Sequence, residues 1–534
     1  MKESRKPQTA GISRRELIKG ATIGAAGVAA AGMLPSYAAG RVAGAPPAWS
    51  SDVPGRWDRT VEVLILGVGI AGACAAVEAH DLGAEVLAIE KSSQVRGACS
   101  WSGGSLCGAG TRHQKRNGIF DDVEVMVQDI MRCGDELGDP EIIRAFAAIS
   151  GETIDWLEDL GCQLLPGNRA SPGIHSIPRN HNVAPEGNGL GWMLGLEAAI
   201  KKREIEVQFD TTATKLYRSA GGRVVGAQVK TKDGRDLNYR ATKGVLLSTG
   251  GIGNSADKWK QYSPAMKEVV EKARKVRGVY PPTANGDGLP MASDVGVYLY
   301  PQQATYGGGA VELSPGGPAT ASLFPHRWCG AGAIGLNANG VRFWDETSFQ
   351  DFYVTKKFKT QPGMWQIIVF DDLTRQSKDG QTYAQPVIDK VLANGHNSVQ
   401  RADTIEALAE KFGIPAHAAI KTVDEWNRLV VAGGPDKLTG RSVMGSKLEK
   451  PPFWGVEVIV SFGTSKGGGR INPRAQAVDH YGMVIPGLYC AGEIAYFQVH
   501  GSARVHISGG CNGTGANFGR IAARNLVKEG VHAS

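Results

Sequence analysis

Leu64-Ile65-Leu66-Gly67-Val68-Gly69-Ile70-Ala71-Gly72, followed eighteen residues on by Glu90, is the stretch on which the reading of this chain turns. Residues 61–66 form an apolar β-branched run, and 70–82 carry small apolar residues at helical spacing. The three glycines therefore sit at a strand-to-helix turn, the setting in which such a fingerprint binds a dinucleotide. Gly67 permits the tight turn, Gly69 lets backbone approach a pyrophosphate, and Gly72 lets the helix lie close on the strand. The helix start offers unpaired N–H groups to a phosphate. Residues 84–90 read as a second strand, with Glu90 at its end able to accept from a ribose hydroxyl.

Further glycine-rich segments lie far apart in the chain. Ser102-Gly103-Gly104 follows the second strand, and Val245 to Gly251 is an apolar strand stopped by Gly250 and Gly251. Near the end, Ile485 to Glu493 is a strand running into Gly492 and Glu493. Gly513 and Thr514 then open a helix-like stretch over 514–525. One cofactor held by both ends of a long chain points to FAD, and hence to redox chemistry.

On these motifs the chain resembles the FAD-dependent oxidoreductase 2 family, which includes fumarate reductase/succinate dehydrogenase flavoproteins and 3-ketosteroid dehydrogenases. The similarity covers nearly all of 58–530. It rests also on Trp57 to Val63, on Gly286-Asp287-Gly288 and on Asn339 to Glu346. The resemblance implies an α/β fold: a Rossmann-like FAD-binding domain of the GR2 type with an inserted α+β capping domain. The expected limits are 58–300 and 446–534 for the FAD domain and 301–445 for the cap, after a linker over 40–57. It also implies cofactor contacts at Ile70, Ala71, Lys91, Ala213, Thr249 and Asp287. The histidine that tethers flavin in some relatives is missing from Ala98 to Gly104, so the FAD is expected to be noncovalent.

The family's substrate lies between cap and flavin, where a C–C bond beside a carbonyl is reduced or dehydrogenated by hydride transfer at flavin N5. This chain departs from the fumarate reductases there. Gln350 stands at the proton-donating arginine, Cys329 precedes Gly330-Ala331-Gly332 where a relay arginine is usual, and Gly463-Thr464 replaces a histidine-threonine pair. It departs from ketosteroid dehydrogenases too: His506-Ile507-Ser508-Gly509-Gly510 has no tyrosine where a tyrosine–glycine pair polarises the ketone. His506 or Ser508 can substitute for the hydroxyl, and the Gly510 N–H can complete the pair. Arg504, in His500-Gly501-Ser502-Ala503-Arg504, resembles a substrate-carboxylate anchor. His500, Tyr306 and His326 are further candidates in the cap and the 500–510 loop. The expected activity is on an enone or an unsaturated acid. The alternatives are a respiratory fumarate-type reductase and an electron-transfer subunit of a periplasmic complex.

Composition narrows the remaining classes. Ser13-Arg14-Arg15-Glu16-Leu17-Ile18-Lys19, a weakly apolar run over 20–34 and Ser36-Tyr37-Ala38 match a Tat signal over 1–39, which implies the Tat translocase as a partner and a periplasmic address. That route carries proteins already folded around a cofactor. The net charge is +7, of which six Lys/Arg and two Glu in 1–39 account for +4, leaving +3 for the mature chain. No basic patch interleaved with aromatics suggests nucleic acid, and no later stretch has the length of a membrane span. The eight cysteines are scattered without CxxC or CxxCH spacing, so no metal site or attached haem is expected. Electrons must then be exchanged with an external cytochrome or quinone-linked partner. Gly307-Gly308-Gly309 and Pro315 to Pro318 read as irregular stretches near the site.

Overall fold

Val63 to Leu66 are completely shielded from solvent. An unbroken apolar run suits a parallel strand because both of its faces are covered. In the computed structural model this strand, β1 (Arg59–Leu66), leads into α1 (Ile70–Asp81) and then β2 (Val86–Ile89). The described residues are 53–171, 174–184, 188–317, 319–320, 331–347, 356–501 and 507–530, without the side chains of 304–309 and 320.

β1 pairs in parallel with β2, with Val63 opposite Val86, and on its other side with β3 (Asp236–Leu247), with Leu64 opposite Val245. Two later strands position the site, β4 (Phe453–Ser465) and β5 (Val484–Cys490). β5 lies parallel to β3, with Leu488 opposite Val245, so chain from the two ends meets in one sheet. The strand Glu206–Gln208 extends the sheet beyond β2, and the hairpin of Thr212–Arg218 and Val224–Lys230 joins it at β3. The last helix, α2 (Gly510–Leu526), packs on α1. A Cβ on Gly519 would stand 2.2 Å from the Ala71 carbonyl oxygen, so glycine is what permits that approach.

A second sheet is centred on β4. Ala304–Glu312, Gln366–Phe370 and Val399–Ala402 pair with it antiparallel, and Val276–Gly278 in parallel. Phe453 to Val458 of β4, with helices Ile405–Phe412 and Ala416–Ala432, lie in a separate core, whereas Val460 and Phe462 at the far end of β4 join the core of the first sheet. The architecture is therefore the expected α/β domain with an α+β cap. The cap's central strand, however, comes from 453–465 and one neighbour from 276–278, on either side of the expected 301–445.

Two stretches expected to be irregular take definite places in the structure. Gly307-Gly308-Gly309 lies within the strand Ala304–Glu312, where the register shifts between Gly307 and Ala310. The long partner β4 supplies the ladder that glycine alone would not sustain, and the bulge absorbs the irregularity. Pro315-Gly316 is also tied down: the Gly316 N–H donates to Glu312 at 2.9 Å.

Candidate active site

The turn between β1 and α1 closes without room for side chains. A Cβ on Gly67 (φ +95°) would sit 2.6 Å from the Ser248 carbonyl oxygen, and one on Gly72 2.0 Å from that of Gly67. At Gly69 nothing is nearer than 3.8 Å, so its missing side chain leaves open space at the start of α1. No side chain caps that helix and no acid occupies its first turn. Its first N–H groups thus remain available for an anionic group, as a pyrophosphate requires. Glu90, buried at the end of β2, fixes this turn: Oε2 accepts from the Val68 N–H, and Oε1 from the N–H and hydroxyl of Ser92, each at 2.8 Å.

Two cavities meet at Gly69, Ala98, Ser248 and Gly250, and form one cleft at the C-terminal ends of the parallel strands. This is where open α/β sheets take their ligands. The smaller, about 100 Å³, is lined by Gly67, Glu90, Lys91, Ala213, Thr249, Gly251 and Asp287. Across its mouth Lys91 Nζ donates to Asp287 Oδ2 at 2.6 Å. The buried Thr249 hydroxyl has no partner among the described protein groups, an orphan that a ligand in this cavity would satisfy.

The larger cavity, about 300 Å³, has Ile70, Ala71, Ser102, Gly103 and Gly104 on one side and Gly492 and Glu493 on another. Tyr280, Thr464, Tyr496, Ser508, Cys511 and Asn512 also form part of the wall. Asn512 Nδ2 donates to Ser102 Oγ at 2.9 Å, joining α2 to the glycine loop. The end of β4 holds two ionisable side chains in succession. Thr464 Oγ1 accepts from the Tyr280 hydroxyl at 2.7 Å, and Ser465 gives its N–H and its hydroxyl to Glu493. Burial pushes the Glu493 carboxyl up to about 7, against the pull of those two bonds. Burial likewise raises the phenols of Tyr280 and Tyr496 and pushes the Cys99 thiol up to about 12.

Ser508 is held from behind. Asn180 Nδ2 donates to its hydroxyl at 2.7 Å, and His175 Nε2 to its carbonyl at 2.8 Å. A buried cluster of Arg179 with Asp121 and Asp129 anchors the segment that carries both donors.

Most of the expected cofactor residues thus gather on one cleft, with Gly72 just behind it. Gly513 and Thr514 do not line it. The helix begins at Gly510, four residues earlier than expected, which brings Cys511 and Asn512 to the cleft. Gly513 packs 3.3 Å from the Phe146 ring, and the Thr514 hydroxyl bonds the Gly510 carbonyl at 2.7 Å. The Gly510 N–H is also spent, donating to the Ile507 carbonyl at 2.8 Å, and cannot complete a carbonyl-polarising pair. His500 is buried, its ring 5.3 Å from that of Tyr496, and is absent from the described cavity wall. Tyr306 pairs through its backbone with Phe462. Arg504, His506, Gln350 and His326 lie outside the described residues. Tyr280 was missed because it belongs to no motif, and Asn512, inside the glycine-rich 509–515 segment, because the helix start was expected too late.

A parallel sheet, an uncapped helix start behind a side-chain-free turn and a cleft continuing to a second polar chamber define a dinucleotide-binding oxidoreductase. The chain belongs to the FAD binding domain family, whose model matches residues 62–508, and its cofactor is FAD. It is 29% identical over 481 residues to a probable fumarate reductase, Ifc3, of Shewanella frigidimarina, covering 88% of this chain and 76% of that protein. It is similar to the open conformation of a flavocytochrome c3 fumarate reductase, with a TM-score of 0.76 and 28% identity over 88% of this chain and 79% of that one. A 3-ketosteroid-Δ4-(5α)-dehydrogenase from Rhodococcus jostii RHA1 shares the fold, with a TM-score of 0.64 and 24% identity over 89% of this chain and 98% of that one.

Proposed function

We propose that this chain exchanges two electrons between FAD and a C–C bond conjugated to a carbonyl, in an enone or an unsaturated acid. The observation that carries the reading is the cleft itself. Its inner end opens into a chamber walled by the last residues of the cap strand β4 as well as by the cofactor domain. A pure electron carrier needs no such chamber. Bound FAD supplies hydride exchange at its N5.

The chain's own groups have distinct tasks. The Gly67–Gly72 turn and the start of α1 hold the pyrophosphate, and Glu90 the adenosine ribose. Ser102 to Gly104, Asn512 and Glu493 shape the chamber beyond it. No histidine stands among Ala98 to Gly104, which supports noncovalent FAD. Acid precipitation should leave the yellow colour in the supernatant, and colour in the pellet would refute it.

A second reading, a fumarate-type reductase, is supported by the relatives that carry that name. The two separate in one anaerobic experiment. Flavin reduced with dithionite is mixed with fumarate, urocanate, a cinnamate and a 3-keto-4-ene steroid, and reoxidation is followed optically. Reoxidation by the larger compounds supports the first reading, and by fumarate alone the second. A flavin silent to all four would indicate an electron-transfer subunit.

Residues 1–39 we read as a Tat signal and the protein as periplasmic, exchanging electrons with an external cytochrome or quinone-linked partner. Changing Arg14 and Arg15 together to Lys should retain the protein in the cytoplasm. Among the described residues no helix is long and apolar enough to cross a membrane.

A further inference from the structure

Reduction of a conjugated C–C bond needs a proton as well as a hydride, and the group that gives the proton must tolerate losing it. Among the described groups on the larger cavity's wall, several acidic protons are committed to acceptors that can return nothing, while the Glu493 carboxyl already accepts two bonds from Ser465. The Tyr496 hydroxyl donates to the Cys511 carbonyl, and the Cys99 thiol faces the Gly189 carbonyl at 3.5 Å. The Ser102 hydroxyl donates to the Cys99 carbonyl at 2.7 Å. A carbonyl oxygen has no proton, so it cannot support the anion left behind.

Tyr280 differs. Its hydroxyl bonds another hydroxyl, Thr464 Oγ1, at 2.7 Å, and both side chains line the cavity. A hydroxyl partner can reverse from acceptor to donor by turning its own O–H. A hydrogen bond given to the charged form favours that form.

We propose that Tyr280 is the proton donor of this site and that Thr464 is its positioning residue. The proposal rests on the reductase reading above. With a hydride supplied to the β-carbon by reduced FAD when bound, Tyr280 would give its phenolic proton to the α-carbon, and the C=C π bond would be lost. Thr464 then donates to the phenolate until water reprotonates it. Because burial disfavours the phenolate, the resting enzyme carries a loaded acid rather than a base.

The test uses the full holoprotein, its Tyr280→Phe and Thr464→Val variants, and Thr464→Ser as a conservative control. Three quantities are read: FAD affinity by flavin fluorescence, tyrosinate absorbance on alkaline titration, and single-turnover reoxidation of reduced flavin across pH by the unsaturated compounds above. Tyr280→Phe should keep its FAD affinity and lose about 100-fold or more in reoxidation rate, the scale of a lost general acid. Thr464→Val should lose roughly tenfold and titrate one tyrosine at higher pH, and Thr464→Ser should restore both. If the wild type is reoxidised and both Tyr280→Phe and Thr464→Val react within threefold of it, the proposal falls and the function stands. If Tyr280→Phe does not fold, Thr464→Val decides alone: an unchanged rate and tyrosine titration overturn the proposal. A wild type silent to every compound overturns the reductase reading and this inference together.

Discussion

Ser465 gives both its backbone N–H, at 2.7 Å, and its hydroxyl, at 2.9 Å, to a single oxygen of Glu493. Even so, the burial of this carboxyl outweighs both bonds and holds it near 7, above its ordinary value of 4.5. Between those values the folded apoprotein binds more protons here than the unfolded chain does. This group's contribution to stability therefore declines as pH rises from about 4.5 to 7. Glu493→Gln should remove the decline and gain on the order of 3 kcal/mol relative to wild type at pH 8. Urea unfolding of the two apoproteins between pH 5 and 8 measures it, and parallel curves would contradict it.

Gly72→Ala addresses the cofactor turn. Its new Cβ would meet the Gly67 carbonyl oxygen at 2.0 Å, so α1 must shift away from β1. Overpacking of this kind costs about 1–3 kcal/mol, and the shift also moves the N–H groups aimed at the pyrophosphate. We expect folded protein with strongly reduced FAD content, read from the ratio of flavin to protein absorbance.

The Lys91–Asp287 pair closes the mouth of the smaller cavity but is partly exposed, at 22% and 35% of the two side chains. Exposed pairs contribute about 0.2–1 kcal/mol. Lys91→Met should therefore weaken FAD binding by no more than about fivefold at low salt. The difference should shrink at high ionic strength. Flavin fluorescence on release measures it.

In the cap, Glu346 receives Arg342 through two bonds of 2.7 Å, Arg441 at 3.2 Å and the Gly335 N–H at 3.1 Å, all buried. Both guanidinium groups also stack against Trp426, at 4.9 and 4.3 Å. Glu346→Ala removes the carboxylate that both guanidinium groups share, leaving Arg342 its pair with Asp436 at 2.7 Å and Arg441 its bonds to backbone carbonyls, and should destabilise by roughly 3 kcal/mol. Denaturant unfolding should then show the loss, whereas Glu425→Ala on an exposed helix face should be nearly silent.

How far the sequence could be read depended on distance along the chain. β1, the glycine turn, α1, β2 and Glu90 lie within about thirty residues, and their apolar periodicity and spacing encode them directly. The chamber beyond the turn draws on residues 102, 280, 464, 493 and 512, which only the strand order brings together. Tyr280 follows a three-residue strand and carries no local signal. Gly307 to Gly309 are irregular as expected, with a register shift, yet stay within a strand because a thirteen-residue partner outweighs glycine propensity. Gly513 and Thr514 misled because a four-residue error in where a helix starts is a full turn, which changes the residues its N-terminus presents.

The cofactor sheet places β5, made long after β3, directly beside it, and α2 then packs on α1. A ribosome-bound chain that has emitted the glycine turn therefore still lacks one wall of the flavin cleft. Cofactor capture has to wait for α2, and a nonsense codon anywhere before it should give protein with no yellow colour.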